Sequence, residues 1–255
     1  MLIDTHTHIN MDKFDNDRED VIQRARDAGI KIVLDVGTDL KSSQKAVENS
    51  ERFKEVRAVV GIHPHEAVRA KEQDILEIER LLEHPNVVGI GEIGLDYYYN
   101  FSPEEIQKEI FSRQLYIAKE QKLPVVIHVR KAMKDTIEIL DTVGDLPARG
   151  VFHCFGGTVE DVHRVLKMGF FISFTGIVTF HNFKNFDKIR QVPINKLLLE
   201  TDSPYMTPVP HRGKRNEPCF LVHTARKLSE IYDTELNNLA GTTTKNAQAL
   251  FKITI

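Results

Sequence analysis

The chain alternates short apolar runs with longer amphipathic segments from one end to the other. The eight short apolar runs cover residues 2–5, 31–36, 56–62, 87–92, 124–128, 150–153, 170–174 and 196–200. Stretches within them such as VVI and LLL are continuously apolar, as strands are when both faces of a parallel sheet are buried. Eight amphipathic segments follow them in turn, near residues 17–28, 41–52, 72–83, 103–122, 131–142, 158–168, 183–191 and 219–231. This order predicts an α/β protein with a (β/α)8 TIM barrel, and an open doubly wound sheet is the competing arrangement.

Residues 233–251 form a further amphipathic segment, which predicts an extra C-terminal helix packed outside the barrel. No linker or internal repeat divides the sequence, so we expect residues 1–255 to form a single barrel domain. At the fourth helix, Ser102 is expected to cap the N-terminus, with Pro103 at the first helical position and Glu105 completing a capping box. Gly29 and Gly169 are expected to end the first and sixth helices in a left-handed conformation with positive φ.

Composition narrows the class of protein. Apolar residues make up 41% of the chain and charged residues 28%, which is typical of a globular domain with a large core. The sequence begins MLID, with an acidic residue where a signal peptide would be basic, and no apolar run approaches the ~20 residues of a membrane span. We therefore expect a cytoplasmic protein with no membrane contact, and no obligatory protein partner is evident.

The cysteines and the net charge argue against a disulfide-rich or thiolate-metal protein and against a protein that coats nucleic acid. Only Cys154 and Cys219 are present, too few for a disulfide framework or a thiolate metal site, so any metal would be bound by nitrogen and oxygen. A formal net charge of −3 argues against a protein that coats nucleic acid by bulk electrostatics. A locally basic loop could still bind phosphates.

Imidazoles and carboxylates stand at the C-terminal ends of five predicted strands. His6 and His8 end the first strand, Glu92 the fourth, His128 the fifth, His153 the sixth, and Asp202 follows the eighth. In a barrel these ends converge on one mouth, where active sites lie. His6 and His8, two residues apart, point the same way and can bind one ion. One such histidine is more often structural, but several polar groups in one buried layer are costly without a compensating cation.

Four imidazoles and two carboxylates are more ligands than one tetrahedral zinc ion needs, so the set predicts two divalent metal ions per chain. Glu92 is expected to bridge them. The other ligands divide into His6, His8 and Asp202 for one ion and His128 and His153 for the second. Two ions about 3.5–4 Å apart suit hydrolysis at phosphorus, with Asp202 and Glu92 as candidate catalytic residues and Asp202 as the proton acceptor. Mg, Mn, Zn and Ni all remain possible.

Seven segments resemble the TatD family of metal-dependent deoxyribonucleases, and the match covers nearly the whole chain. They are MLIDTHTH at residues 1–8, GIHPH at 61–65, GEIGLDYY at 91–98, HVR at 128–130, HCF at 153–155, ETDSPY at 200–205 and RGKRNEP at 212–218. Thr7 and Gly156 depart from the residues expected there, at positions that affect packing more than ligation. Carried over position by position, the family's ligands fall on the same six residues as the strand ends.

The resemblance implies an amidohydrolase-type barrel, a cytoplasmic location and hydrolysis of DNA phosphodiesters by two divalent ions, with single-stranded ends as substrate and 3′→5′ exonuclease action. Two alternatives stay open. One is a two-metal amidohydrolase that cleaves a small amide, ester or lactone, although many such enzymes bridge their ions with a modified Lys where this chain has Glu92. The other is a non-catalytic metal-bearing binding module.

Residues beyond the strand ends are candidates for substrate contact. His63 and His65 follow the third strand, and the resemblance implies that one of them, His65 by preference, donates to a substrate phosphate. Arg130, Arg212 and Arg215 are also candidates, because guanidinium groups suit phosphate oxygens.

Two groups of aromatic residues and Cys154 also follow predicted strands near the mouth. Tyr97, Tyr98, Tyr99 and Phe101 follow the fourth strand, and Phe180, Phe183 and Phe186 follow the seventh. These rings could line the mouth and stack on unpaired bases, or only pack within loops and helices. Cys154 is expected to point away from His153 as a small packing residue.

Overall fold

The computed structural model describes residues 1–255 and contains one sheet of eight parallel strands in sequential order. The strands are β1 (Leu2–Thr7), β2 (Ile30–Val36), β3 (Val56–Val60), β4 (Val87–Asp96), β5 (Val125–Arg130), β6 (Gly150–Phe152), β7 (Phe171–Phe174) and β8 (Leu197–Leu199). All eight predicted strands are present. β4 extends four residues beyond its predicted end at residue 92, which carries the sheet past Glu92.

Nine α-helices surround the sheet, and one follows each strand. They are α1 (Arg18–Asp27), α2 (Leu40–Arg52), α3 (Glu72–Leu81), α4 (Glu104–Gln121), α5 (Met133–Val143), α6 (Val159–Lys167), α7 (Phe186–Arg190), α8 (Leu221–Ile231) and α9 (Leu236–Phe251). The alternation confirms the (β/α)8 prediction. None of these helices combines the length and the apolar character that a bilayer crossing requires.

Hydrogen bonds between β1 and the chain just after β8 bring the first and last strands together. The Asp202 amide donates to the His6 carbonyl at 2.9 Å, and the His8 amide donates to the Ser203 carbonyl at 2.7 Å. Below them, the buried Asp4 carboxylate accepts from the Thr201 amide at 2.9 Å. The sheet is therefore a nearly closed barrel, and the open doubly wound alternative is wrong.

The C-terminal helix α9 closes the end of the barrel opposite the predicted ligands. Ala247, Leu250, Phe251 and Ile253 belong to a buried cluster that also contains residues from seven of the eight strands. Side chains from so many strands can meet only inside the barrel. The extra helix is confirmed, but its last turn and Ile253, two residues beyond its end, pack against the barrel interior.

The predicted cap of α4 is wrong. The helix begins at Glu104 with Pro103 at the N-cap, and no side chain caps it. The Ser102 hydroxyl instead accepts from the Val68 amide at 3.0 Å and donates to the His65 carbonyl at 2.9 Å. It therefore holds the loop after β3 in place. The predicted positive φ at the ends of α1 and α6 is confirmed, at 86° for Gly29 and 87° for Gly169.

We expect Gly94→Ala to destabilise the barrel, because Gly94 has φ 140° and its α-carbon faces the His128 carbonyl of β5. An added methyl group would overlap that backbone, and the strained conformation alone costs ~1–3 kcal/mol. Urea denaturation followed by circular dichroism measures the effect. Gly241→Ala is the matched control in α9, where a β-carbon meets no atom within 4 Å, so that change should be neutral or stabilising. Equal stability of the two variants would contradict the close approach of β4 and β5.

Candidate metal centre at the barrel mouth

The structure brings the six candidate ligands together at the C-terminal mouth. They are His6, His8, Glu92, His128, His153 and Asp202, and all except the partly buried His128 are buried. Each comes from the end of a strand or from the residues just after it, so the rigid sheet fixes its position. Their ring nitrogens and carboxylate oxygens form two groups, one on each side of the Glu92 carboxylate.

The first group contains His6, His8 and Asp202, whose ligand atoms lie within 4.8 Å of one another. The Nε2 atoms of His6 and His8 are 3.2 Å apart, and each is 3.3 to 3.5 Å from Glu92 Oε2. His8 Nε2 is also 3.5 Å from Asp202 Oδ1. Ligands bound at zinc distances to one tetrahedral ion lie about 3.3 Å apart, so the spacing of this group suits a single cation.

The tautomer of His8 indicates that a positive charge belongs among these atoms. His8 Nδ1 donates to the Val36 carbonyl at 2.8 Å, which can only accept, so in the neutral ring Nε2 carries a lone pair. That lone pair faces carboxylate oxygens of Glu92 and Asp202, each 3.5 Å away. Acceptors that face acceptors in a buried layer need a proton or a metal ion between them.

The second group gathers around the other oxygen of Glu92. His128 Nδ1 and His153 Nε2 lie 2.6 Å and 2.7 Å from Glu92 Oε1, and these two nitrogens are 3.2 Å apart. His63 Nε2 is 3.4 Å from the same oxygen. Glu92 thus presents one carboxylate oxygen to each group, which is the geometry that a bridging ligand requires.

The electrostatics of the mouth favour a cation. Burial alone would raise the pKa of Glu92, but the neighbouring imidazoles of His153, His63 and His6 more than offset this and hold it well below its usual value. Burial would likewise lower the pKa of His8, yet the carboxylates of Asp202 and Glu92 raise it to about 9. The carboxylates are therefore ionised and attract positive charge. A divalent ion that bound here would displace the imidazole protons.

Sequence reasoning missed two carboxylates that contact the candidate ligands. Asp96 Oδ2 accepts from His65 Nε2 at 2.8 Å and lies 3.3 Å from His128 Nε2. Glu200 is fully buried, accepts from the Cys154 amide at 2.6 Å and lies 3.7 Å from His153 Nδ1. Carboxylates behind ligand imidazoles orient the rings. Asp96 lies four residues after the predicted end of the fourth strand, and Glu200 is the last residue of the predicted eighth strand. Only the fold shows which imidazole each carboxylate faces.

The two histidines after β3 occupy different places. His63 is buried beside Glu92 and belongs to the second group, and burial lowers its pKa to about 4. His65 is more exposed and lies at the edge of the mouth, with Nε2 held by Asp96. His63 is thus in position to act as a ligand, whereas His65 lies nearer to the solvent, where a substrate would enter.

Of the three candidate arginines, only Arg130 lines the mouth cavity. Its guanidinium group has no ion-pair partner. Arg212 lies over the Phe180 ring at 3.8 Å, outside the residues that line the cavity. Arg215 is also outside them, and it donates to both Asp17 oxygens at 2.8 and 2.6 Å and to Glu217 at 2.9 Å.

Cys154 differs from its expected orientation. It has φ 43° and lines the mouth cavity beside His153, because the chain leaves the extended conformation at this point and strand alternation no longer applies. Burial raises the pKa of its thiol to about 12. The thiol is therefore protonated at neutral pH.

An open cavity of about 610 Å³ lies above the two groups, within the size range of small-molecule and cofactor sites. Ligand residues form its floor, and its edge includes His65, Tyr99, Arg130, Tyr205 and Met206. Buried acceptor atoms at the open mouth of a TIM barrel are what metal-dependent hydrolases with this fold present.

Within that class the chain belongs to the TatD family, since the family model described as "TatD related DNase" matches residues 3–252. The chain is 41% identical to the "uncharacterized metal-dependent hydrolase YabD" of Bacillus subtilis, over 99% of this chain and 100% of the relative. It is 34% identical to the "3'-5' ssDNA/RNA exonuclease TatD" of Cronobacter sakazakii, over 98% and 97% of the two chains. The crystal structure of YJJV, a TatD homologue from Escherichia coli, superposes with a TM-score of 0.94 at 29% identity, over 99% of this chain and 98% of the other.

We expect Arg215→Ala to lower stability in a pH-dependent way. Hydrogen bonds from Arg215 lower the pKa of Asp17 from 3.8 to about 2. A depressed carboxyl pKa stabilises the folded state above the unfolded pKa, and this stabilisation is lost as the pH falls towards the folded value. The stability difference between wild type and variant should therefore be largest above pH 4 and shrink between pH 4 and 2.

Urea denaturation at several pH values from 7 downwards provides the measurement for Arg215→Ala. The matched control is Arg212→Ala, because Arg212 has no carboxylate partner and its removal should cost the same at each pH. A stability difference for Arg215→Ala that stays constant with pH would contradict the Asp17 pairing. If the variant also bound a phosphate-bearing substrate more weakly, Arg215 would be a substrate contact.

Proposed function

We propose that this protein is a two-metal phosphodiesterase that removes nucleotides from the 3′ ends of single-stranded DNA. The observation that carries the proposal is the Glu92 carboxylate, whose two oxygens face two separate groups of ligand atoms. In this assignment His6, His8 and Asp202 hold one ion, His128 and His153 hold the other, and Glu92 bridges them. When bound, two such ions polarise a water molecule and neutralise charge on phosphate oxygens.

Two residues of the chain would carry out the remaining steps. Asp202 faces the cavity, and burial would raise its pKa, but His8 and other imidazoles keep it below its usual value. Its carboxylate is therefore ionised at neutral pH and can accept a proton from the attacking water. Arg130 can bind a phosphate oxygen, because its charge is not neutralised by any carboxylate. The name of the Cronobacter relative supports a single-stranded nucleic acid as substrate.

The direct test incubates purified protein with single-stranded DNA labelled at the 5′ end, with and without added divalent metal. We expect metal-dependent shortening from the 3′ end with the label retained, and little cleavage of a circular single strand. A generic phosphodiester and a lactone are included as alternative substrates. Turnover of the lactone alone would replace the proposal with a small-molecule amidohydrolase, and binding of metal without any turnover would indicate a binding module.

We expect Asp202→Asn to lower kcat for the DNA substrate by ~10²-fold or more, because loss of a general base costs about that much. The matched control is Asp187→Asn, since the Asp187 side chain is 93% exposed on α7. Steady-state kinetics at saturating metal give the comparison. If Asp202→Asn hydrolysed DNA at the wild-type rate, Asp202 would not be the proton acceptor.

We expect Glu92→Ala to lose more metal than His128→Ala or His153→Ala, because one carboxylate faces both groups and each imidazole faces one. Elemental analysis after dialysis should show a drop from about two ions per chain to fewer than one, with a native circular dichroism spectrum. Glu105→Ala is the matched control, because the Glu105 side chain is 86% exposed. Full metal content and full turnover in Glu92→Ala would exclude the bridging role and the two-ion arrangement.

A further inference from the structure

Three aromatic side chains after β4 form an exposed surface at the edge of the mouth. Tyr98, Tyr99 and Phe101 are 51%, 48% and 63% exposed, and together they are called the aromatic ledge here. Of the other exposed large apolar side chains only Tyr205 lines the cavity, whereas the rest, such as Tyr116 on α4, do not. Exposed aromatic area that is concentrated beside a functional cavity is a sign of ligand binding.

Contacts behind the rings hold the ledge in one arrangement. The amides of Tyr98 and Tyr99 both donate to Asp96 Oδ1, at 2.8 and 3.1 Å. The rings of Tyr99 and Phe101 are nearly parallel, with planes 2° apart and centroids 5.5 Å apart. His65 meets both rings edge-on, at 5.5 and 4.8 Å between centroids. The rings are therefore held in fixed orientations while each residue stays about half exposed or more.

A positive charge without a partner lies against the same surface. The Arg130 guanidinium group stacks over Tyr98 at 4.1 Å and over Tyr99 at 4.5 Å from the ring centroids. These rings orient the guanidinium plane but do not neutralise its charge. Lys131 Nζ, which also has no ion-pair partner, lies 5.2 Å from the Tyr98 centroid. The ledge thus combines aromatic rings with unpaired positive charge, which is the combination that unpaired bases and their phosphates need.

Asp96 connects the ledge to the metal centre. Its Oδ1 receives the two ledge amides, while its Oδ2 lies 2.8 Å from His65 Nε2 and 3.3 Å from His128 Nε2. One carboxylate therefore fixes the distance between the aromatic rings and a proposed ligand. The His65 ring lies between them, with its centroid 4.8 Å from that of Phe101 and 6.3 Å from that of His128, so the ledge adjoins the cavity that Tyr99 and His65 line.

We propose that the aromatic ledge is a binding subsite for one unpaired nucleobase, which stacks on Phe101 and Tyr99 while its phosphate contacts Arg130. This inference rests on the proposed nuclease function and names the part of the substrate that the mouth recognises. A base inside a duplex has both faces covered by its neighbours, so it cannot stack on the ledge without leaving the helix. The subsite therefore selects single-stranded ends.

A binding measurement that does not depend on hydrolysis tests the ledge directly. The chain contains no tryptophan, so Phe101→Trp introduces a single fluorescent reporter at the proposed contact. Metal-loaded protein is titrated with a phosphorothioate oligothymidylate, which resists cleavage, and with an abasic oligomer of equal length and charge. We expect saturable quenching by the first oligomer and little quenching by the second. Equal responses to both would overturn the inference.

Kinetics give the second test. Phe101→Ala and Tyr99→Ala should raise KM for single-stranded DNA roughly 10-fold, as expected when one stacked base is lost, and leave kcat nearly unchanged because stacking is away from the scissile bond. Phe101→Tyr should restore the wild-type KM. Tyr116→Ala is the matched control, since Tyr116 is 47% exposed outside the cavity. An unchanged KM in both alanine variants would overturn the subsite.

The two proposals fail in different ways. Base-dependent quenching in a protein that hydrolyses no DNA supports the ledge and removes the nuclease assignment. Hydrolysis of DNA without any preference for bases over abasic positions supports the nuclease assignment and removes the ledge.

Discussion

A carboxylate buried among five imidazoles is the constraint on which the arrangement of the mouth depends. Glu92 is only 4% exposed, and His6, His8, His63, His128 and His153 all lie within 3.5 Å of its oxygens. A negative charge in such a layer needs a compensating cation. The surrounding structure directs imidazole nitrogens towards the place where that cation would sit, as the Val36 carbonyl does for His8.

The two ends of the barrel carry different kinds of residue: apolar side chains at the N-terminal end and ionisable side chains at the C-terminal mouth. At the N-terminal end, the last turn of α9 and inward-facing strand residues form an apolar cluster. At the C-terminal end, the strands carry ionisable groups that gain nothing from packing and are held by hydrogen bonds instead. Hydrophobic burial at the apolar end stabilises the fold, and this offsets the free-energy cost of burying charged groups at the mouth.

Sequence patterns predicted most of the fold and the meeting of the six candidate ligands at one mouth, because both follow from local periodicity. An imidazole at the end of an apolar strand is conspicuous, and the strand order places all such residues at one mouth. Contacts between residues far apart in the sequence could not be predicted from these patterns. Arg215 looked like a free cation because its partner Asp17 is 198 residues away. Ser102 matched the pattern of a helix cap, but its hydroxyl is used by the loop after β3. The roles of Asp96 and Glu200 depended on which imidazole each one faces.

The hydrogen bonds that join β1 to the segment after β8 have a consequence for synthesis. Asp4 and Thr201, which form one of these contacts, are 197 residues apart, so the contact has one of the largest loop-closure costs in the chain. At 5–20 residues per second, a ribosome needs roughly 10–40 s to add the intervening segment. Through that interval the outer edge of β1 has no strand to pair with, and His6 and His8 have no Asp202 beside them. The nascent chain therefore has an uncovered sheet edge, and the candidate ligands can all come together only after the eighth strand has emerged.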